Sequence, residues 1–253
     1  TIFPVSPSGC NEGQAVHVTV TVNPTPRVFP VPVSTVQCDS TATNIRLLGP
    51  SLFTGGSLTF NYTATSPGGI TGFTPSAAGL PNGHIITDLL VNPTDSPQDV
   101  IYTITPLGPG GCASGFPVNV TVTVNPTPRV DPVPVNYVQC DSTQTNITLH
   151  SPSIFTSGEI TFKFTATATG GLTGFTPSAT GLPQNHTIAD NLINLTDSPQ
   201  VVTYRVTPVS PAGCVDGQTV TFTVTVNPTP RIYPAPVNSI QCDNTPVDIT
   251  LRS

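Results

Sequence analysis

The sequence lacks methionine and tryptophan, has a single lysine, and carries charge on only 8% of its 253 residues. Its formal net charge is −6. Because it has no basic patch to place against phosphate groups, we expect it to bind neither nucleic acid nor an anionic membrane surface. It also has no run of about 18 apolar residues, so no transmembrane helix and no membrane insertion are predicted.

Motifs that carry chemistry are missing as well. The sequence contains no HExxH, GxSxG, phosphate-binding loop or EF-hand pattern. A calcium site needs six or more clustered oxygen ligands, whereas the aspartates of this chain are scattered. Of the four histidines, only His84 and His186 stand 102 residues apart, and a surface loop position explains both. We therefore predict a protein that is not an enzyme and holds no metal or cofactor.

What the sequence does contain is a repeat of 102 residues. The run VTVNPTPR occurs at 20–27, 122–129 and 224–231, and 24–125 aligns with 126–227 without a gap at about 65 identical positions. A unit of about 100 residues is long enough to be a complete domain, unlike the short units of a solenoid. We predict two complete domains at 24–125 and 126–227, flanked by the end of another domain (1–23) and the start of a further one (228–253). The chain is then an internal window of a longer polypeptide.

Each repeat has the pattern of short β-strands separated by turns. Apolar residues alternate with Thr and Asn, as in VNVTVTV (118–124), and turn clusters such as TSPGG, NPTDSPQ and GPGGC lie between the runs. Five to seven strands without a helical pattern favour an all-β fold of tandem immunoglobulin-like sandwiches in an extended array. The predicted inward-facing residues of the first repeat are Ile45, Leu47, Leu58, Phe60, Tyr62, Ile86, Leu90, Val100, Tyr102, Ile104, Val118, Val120, Val122 and Val124.

The cysteines occur in two settings, Gly-Cys (Cys10, Cys112, Cys214) and Gln-Cys-Asp (Cys38, Cys140, Cys242). Neither setting has zinc-site spacing, and paired cysteines on polar turns favour an oxidising, extracellular environment. The preferred prediction pairs them within a repeat, as Cys38–Cys112 and Cys140–Cys214, with Cys10 and Cys242 pairing outside this sequence. Such a disulfide would stabilise a domain by roughly 4–5 kcal/mol.

Two alternatives to that pairing stay open. One joins Cys38 to Cys214 across neighbouring repeats, and the other leaves the thiols free. A Cys10–Cys38 pairing is disfavoured because the intervening strand and linker span tens of ångströms when extended, and a disulfide needs Cα atoms within about 7 Å.

The linkers are rich in proline and lack glycine. Because proline fixes φ and restricts its neighbour, these segments are predicted to space the domains semi-rigidly, and a constant repeat length favours a regular rod. The predicted linker residues are Asn23, Pro24, Pro26, Asn125, Pro126, Pro128, Asn227, Pro228 and Pro230.

Two other features have a structural and a functional interpretation. Asp95 and Asp197 lie in Asp-Ser-Pro turns, where an Asx-turn is the simpler explanation. The run TGFTPSA (71–77) returns unchanged at 173–179, so it is either a packed loop or a ligand-binding loop. Phe73 and Phe175 within it are the aromatic candidates for contact with a sugar.

The combination VTYxVTP, GC, VTVTVNPTP and QC, with an ITFxFTAT strand between, resembles the PKD-like/Ig-like repeats of very large Bacteroidetes surface proteins. Among them are the SprB-type gliding-motility adhesins exported by the type IX secretion system. The resemblance covers the whole chain, with Tyr62 and Phe164 standing where such repeats often have tryptophan. It implies an outer-membrane-attached filament that carries an adhesive tip. It also implies O-glycosylation at Asp-Ser-Thr sequences, that is, at Ser40 and Ser142.

We therefore predict a structural segment of a secreted surface filament. Its expected partners are the neighbouring repeats, with surface polysaccharide or other filament chains as further candidates. The alternative is a carbohydrate- or matrix-binding module that is repeated to gain avidity.

Overall fold

The computed structural model describes residues 1–134, 136–211, 213–235, 238 and 240–252. Within them the regular secondary structure is β-strand, without a helix, which confirms the all-β prediction. The chain divides into two compact units. The first contains Thr1–Gln37, Thr41–Val91 and Asp99–Thr123, and the second contains Cys38–Ser40, Asn92–Gln98 and Val124 onward. Three short segments of the first sequence repeat, 38–40, 92–98 and 124–125, therefore belong to the second unit.

The first repeat forms ten strands. They are β1 (Phe29–Val31), β2 (Ser34–Cys38), β3 (Thr41–Ala42), β4 (Ile45–Leu48), β5 (Thr59–Thr65), β6 (Ser76–Pro81), β7 (Ile85–Ile86), β8 (Leu89–Leu90), β9 (Gln98–Leu107) and β10 (Val118–Asn125). Their five-stranded sheet has the order β2-β10-β9-β5-β6, and the smaller sheets are β1-β4-β7 and β3-β8.

The core of the first repeat is made by the alternating faces of these strands. Leu47 and Leu90 come from the small sheets, and Phe60, Tyr102 and Val122 come from the large sheet; all five side chains have an exposed fraction of 0%. The inward-facing residues predicted from the sequence are buried, apart from Val118 at the start of β10, which is half-buried. Period-two alternation therefore identified the core correctly, because each strand has one face toward the other layer.

The second repeat follows the same plan. Its strands are β11 (Asp131–Val133), β12 (Asn136–Cys140), β13 (Thr143–Gln144), β14 (Ile147–His150), β15 (Thr161–Ala168), β16 (Leu172–Thr173), β17 (Ser178–Leu182), β18 (Thr187–Ile188), β19 (Asn191–Asn194), β20 (Gln200–Val209) and β21 (Val220–Asn227). The sheets are β12-β21-β20-β15-β17, β11-β14-β18 and β13-β19-β16.

Aromatic packing fills the centre of the second core. The ring of Tyr204 stacks on Phe222 at 5.3 Å between centroids and meets Phe164 edge-on at 5.8 Å. Phe164 is thus an aromatic residue of the core.

One pairing in this repeat decides the geometry of the cysteines. Strands β12 and β21 run parallel, with Asn136 opposite Thr223 and Cys140 opposite Asn227. Cys140 therefore lies at the C-terminal end of β21. Cys214 precedes the start of the same strand at Val220.

The flanking segments contain little regular structure in the described residues. Residues 1–23 form one isolated bridge, between Ile2 and Val16. After the second repeat, β22 (Tyr233–Ala235) pairs antiparallel with β23 (Thr250–Arg252). The domain boundaries at 23/24, 125/126 and 227/228 stay predictions.

Candidate functional site

A hydrogen-bonded cluster in the second unit surrounds the central copy of the repeated linker. We call Asp39, Asn92, Asp95, Thr127 and Arg129 the repeat-end network. All five belong to the second unit, although the first three come from the first sequence repeat. The contacts of this network explain why the linker sequence recurs.

Asp39, the aspartate of Gln-Cys-Asp, joins a turn to the linker. Its Oδ1 accepts a hydrogen bond from the backbone N–H of Asn92 at 2.7 Å, and its Oδ2 accepts one from the Thr127 hydroxyl at 2.7 Å. Hydrogen bonds to an ionised carboxylate are stronger than neutral ones. The Thr of Asn-Pro-Thr-Pro-Arg is therefore a clamp on the preceding Gln-Cys-Asp segment.

The same clamp recurs one repeat later. Thr229 donates to Asp141 Oδ2 at 2.7 Å, and the backbone N–H of Asn194 donates to Asp141 Oδ1 at 2.7 Å. The Thr229 hydroxyl, and after it the Asn194 N–H, lower the pKa of the Asp141 carboxyl from its ordinary value. Asp141 is thus held in the ionised form that these donors stabilise.

The buried side chain of Asn92 organises the Asn-Pro-Thr-Asp-Ser-Pro turn. Its Nδ2 donates to the carbonyls of Ser96 at 2.9 Å and Val124 at 2.8 Å, and its Oδ1 accepts from the N–H and hydroxyl of Thr94. The sequence interpretation gave this role to Asp95, but Asn92 makes these turn-forming contacts. Asn194 repeats them in the second copy, on Ser198, Val226 and Thr196.

Asp95 instead faces the linker arginine. Its two carboxylate oxygens accept from Nε and Nη2 of Arg129, the Nε contact at 2.8 Å, and the Ser153 hydroxyl donates to it at 3.2 Å. The Asp95 carbonyl also accepts from the Ile154 N–H at 2.7 Å. The hydrogen bond and the charge of Asp95 raise the pKa of Arg129. In the second copy, Arg231 and Asp197 are 3.6 Å apart.

Three of the six linker prolines are buried, whereas Pro24 and Pro230 are exposed. Pro26 and Pro128 are buried, and their carbonyl oxygens would lie 2.0 and 1.8 Å from a Cβ added to Gly115 or Gly217. Asn125 is also buried; its Oδ1 accepts from the Thr156 N–H at 2.9 Å. The carbonyls of these two prolines thus lie close to the Gly-Cys loop of their own repeat. The role of the predicted linker residues as spacers stays a prediction.

The disulfide prediction was wrong. The structure contains Cys38–Cys214, with a Cα–Cα distance of 5.5 Å, and leaves Cys10, Cys112, Cys140 and Cys242 as free thiols. The within-repeat pairs Cys38–Cys112 and Cys140–Cys214 do not form. The pairing across neighbouring repeats, one of the alternatives left open by the sequence, is the one found, and both of its cysteines belong to the second unit.

The reason lies in the parallel register of β12 and β21. Cys140 lies beside the last residue of β21, and Cys214 precedes its first residue. An eight-residue strand places its ends about 23 Å apart, which a disulfide cannot bridge. The two cysteines of one repeat are therefore at opposite ends of the large sheet.

The invariant heptapeptide TGFTPSA is tied down at its threonine. Thr74 donates its N–H and its hydroxyl to Asp88, which also accepts from the Tyr102 hydroxyl at 2.8 Å. Burial first, and then the hydrogen bond to Asp88, raises the pKa of Tyr102. Thr176, Asp190 and Tyr204 repeat the arrangement. These contacts give Thr74 and Thr176 of the loop a structural role. Ligand binding by the loop stays a hypothesis.

The remaining predicted positions lie at the surface or half-buried. Phe73 and Phe175 are half-buried, and Phe175 packs against the core. Ser40 and Ser142 are exposed and have left-handed φ values of 56° and 60°. O-glycosylation of these two serines stays a prediction.

Clusters of three or more His, Cys, Asp or Glu side chains that could ligate a metal do not occur among the described residues. No helix of this part of the chain is long and apolar enough to cross a membrane.

Comparison with protein families finds two stretches of the chain that match the same family. The model of the PKD-like domain matches residues 35–128 and 138–230, which is more than half of the chain. The chain belongs to the PKD-like domain family. Both PKD-like matches contain a complete Gly-Cys hairpin and end within or next to an Asn-Pro-Thr-Pro-Arg linker. Comparison with curated protein sequences gives no match.

Three solved structures have distant similarity to this PKD-like chain. The human desmocollin-1 ectodomain is 12% identical over 83% of this chain and 44% of that chain, with a TM-score of 0.42. Mouse cadherin-23 EC22–24 is 14% identical over 84% of this chain and 69% of that one, also at 0.42. Mouse protocadherin-24 EC1–3 is 14% identical over 88% and 77%, at 0.39. The chain spans less than half of the desmocollin-1 structure.

Proposed function

We propose that this chain is a structural segment of an extracellular surface filament, in which tandem PKD-like domains space an adhesive tip from a bacterial cell. The observation that carries the proposal is the Cys38–Cys214 disulfide. It joins the Gln-Cys-Asp segment of the first sequence repeat to the Gly-Cys loop of the second, within the second unit. A filament under tension benefits from a covalent link of this kind, because the link limits how far the chain can be extended.

The repeat-end network supports the same proposal. Thr127 and Arg129 of the linker bind Asp39 and Asp95, so the linker is fixed by its side chains as well as by its prolines. A flexible Gly/Ser-rich linker would leave successive domains free to reorient. Side-chain contacts that bind the linker to the preceding repeat restrict that freedom, which favours a spacer over a loose tether.

Force spectroscopy on the chain, held at its two ends, tests the proposal. With the disulfide intact, only residues outside 38–214 can lengthen. Reduction should then release about 600 Å of additional contour length, because the disulfide joins residues 176 positions apart. The variant Cys38→Ser should release this length without a reductant. The control variant Cys112→Ser removes a thiol that is free in the parent chain, so it should behave like the parent chain. Full extension of the oxidised parent chain at low force would contradict the proposal.

A glycan array with the same chain addresses the alternative function. Strong binding that is lost in Phe73→Ala plus Phe175→Ala would show a repeated carbohydrate-binding module and overturn the spacer proposal. We expect no such binding, since Thr74 and Thr176 hold both loops against their own domains.

We extend the proposal to the cellular setting that the sequence resemblance implies. The filament belongs to a large SprB-type adhesin, is exported by type IX secretion, is attached to the outer membrane, and serves gliding motility. An antibody against this chain should label intact source cells, and labelling should disappear when type IX secretion is disabled. Labelling only after cell lysis would contradict this setting.

A further inference from the structure

The second repeat carries a surface that contacts the Gln-Cys-Asp and Asp-Ser-Pro segments of the first repeat. Cys214 binds Cys38 covalently, Thr127 binds Asp39, and Arg129 binds Asp95. We call Thr127, Arg129, Ser153 and Cys214 the receiving surface of the second repeat; the last contact is Ser153 with Asp95 at 3.2 Å. All of these contacts lie within the second unit.

The first repeat has the same receiving surface, 102 residues earlier: Thr25, Arg27, Ser51 and Cys112. Its local geometry is already formed. The Arg27 N–H donates to the Ser51 hydroxyl at 3.0 Å, the distance also found between Arg129 and Ser153. The Cys112 N–H donates to the Pro109 carbonyl, as the Cys214 N–H does to Pro211. The surface therefore does not need its occupant in order to form.

The grooves beside the two receiving surfaces differ in the residues that line them. In the second unit, a groove of about 570 Å³ is lined on one side by 127–131, Gln218 and Val220, and on the other by Asn92–Asp95. In the first unit, a groove of about 450 Å³ is lined by the counterparts of the first side, 25–29, Phe116 and Val118. None of the residues that line this groove corresponds to Asn92–Asp95. Among the described residues Arg27 has no ion pair, and Cys112 is a free thiol.

We propose that the receiving surface of the first repeat binds the Gln-Cys-Asp and Asp-Ser-Pro end of a preceding copy of the repeat, and that Cys112 forms a disulfide with the Gln-Cys-Asp cysteine of that copy. Disulfides in an array of these repeats then run from each repeat to the next and never close within one repeat. This inference rests on the receiving surface alone and holds whether or not the chain is a filament.

The chemistry is ordinary thiol–disulfide exchange. The Cys112 thiolate attacks a small disulfide oxidant such as oxidised glutathione and releases one reduced thiol. The cysteine of the preceding copy then attacks the mixed disulfide and releases the second. Two protein thiols lose two electrons and two protons, and the oxidant is reduced to two thiols.

The test inserts a second copy of 126–227 between residues 23 and 24, so that a Gln-Cys-Asp end precedes the first repeat. The added copy carries Cys214→Ser, and the original second repeat carries Cys140→Ser. Cys140 and Cys214 then each occur only once in the protein, so peptide mapping can tell the two copies apart. After oxidation in a glutathione buffer, non-reducing peptide mapping should find Cys112 linked to Cys140 of the added copy, together with Cys38–Cys214. Any Cys38–Cys112 link, or a Cys112 that stays a free thiol, overturns the proposal.

A second variant, with the added copy on the C-terminal side, gives an independent answer if the first variant does not form its Cys38–Cys214 disulfide. A copy of 24–125 is placed between residues 227 and 228, with Cys38→Ser in the added copy and Cys112→Ser in the original. Cys140 should then pair with Cys112 of the added copy. Pairing of Cys140 with Cys214, or a free Cys140, overturns the proposal. The parent chain at the same dilution is the control, and it should keep four free thiols.

Discussion

The run VTVNPTPR at 20–27 and the identical run at 122–129 have different structures. Val20 and Val22 are 78% and 87% exposed, whereas Val122 and Val124 have an exposed fraction of 0%. Residues 122–125 of the second copy lie in β10 between β2 and β9, and the first copy lies in no strand. Alternating valines therefore supply the capacity to form a strand, and burial is achieved only when the neighbouring strands of the same sandwich are present.

The linker halves of the two copies differ in a second way. Thr127 and Arg129 bind Asp39 and Asp95, while their counterparts Thr25 and Arg27 form no hydrogen bond to a carboxylate in the described part of the chain. Identical side chains are thus structural anchors in one copy and solvent-exposed groups in the other. Substitutions made in pairs, one in each copy, measure this difference directly.

The largest difference is expected for the valines. Val122→Asp places an unpaired carboxylate in the core and should destabilise the first repeat by more than about 4 kcal/mol, since a buried charge without a partner is very unfavourable. Val20→Asp changes an exposed residue and should have almost no effect. Calorimetric melting of both variants checks this, and equal shifts in melting temperature would show that the exposed run also belongs to a folded core.

Removal of the disulfide should have the next largest effect. Cys38→Ser together with Cys214→Ser should lower the free energy of unfolding by about 2–5 kcal/mol, because the unfolded chain regains the freedom of a long loop. Cys112→Ser together with Cys140→Ser removes two free thiols and should change it by less than about 0.5 kcal/mol. Urea unfolding without reductant measures both. Equal losses in the two variants would indicate that the cysteines pair within repeats, because each variant would then break both disulfides.

The linker threonine should contribute less. Thr127→Val keeps the shape of the side chain and removes the hydrogen bond to Asp39, a loss of about 1 kcal/mol. Thr25→Val should be close to neutral. Hydrogen exchange of the Asn92 amide, the other donor to Asp39, is the local readout. Unchanged protection of that amide in Thr127→Val would mean that the threonine does not support the clamp.

The smallest effect is expected for the arginine. Arg129 is largely exposed although its contact with Asp95 is bidentate, so Arg129→Ala should cost less than about 1 kcal/mol, and less still at high salt. Arg27→Ala should have no measurable effect on the parent chain. Thermal melting at low and high salt tests both, and a salt-independent loss for Arg129→Ala would point to packing of its alkyl chain instead of its charge.

Local pattern was sufficient to predict the fold. Val100, Tyr102 and Ile104 alternate in one strand, and the structure buries all three. The residues that organise the repeat end were harder to find. Asn92 and Asn194 stand at equivalent positions, next to a proline in one copy and Leu195 in the other. The asparagine is retained although the residue after it changes, and this was the signal in the sequence for a structural role. The interpretation chose Asp95 instead, because an aspartate in an Asp-Ser-Pro turn is a common Asx-turn residue.

The disulfide could not be predicted in the same way. Its pairing depends on which end of the large sheet each cysteine occupies, and that depends on the parallel register between β12 and β21. These two strands are separated by most of a repeat in sequence, so no local pattern reports their direction. The 102-residue repeat shows which cysteines are equivalent in sequence. The sheet topology determines which of them can form a disulfide.

The disulfide also changes what a single cut in the backbone can do. Residues 38 and 214 remain joined when any one peptide bond between them is hydrolysed, so a protease that nicks this stretch does not separate the two pieces. Four of the seven basic residues lie inside it: Arg46, Arg129, Lys163 and Arg205. Cleavage after any one of them would leave a damaged chain that is still continuous from end to end.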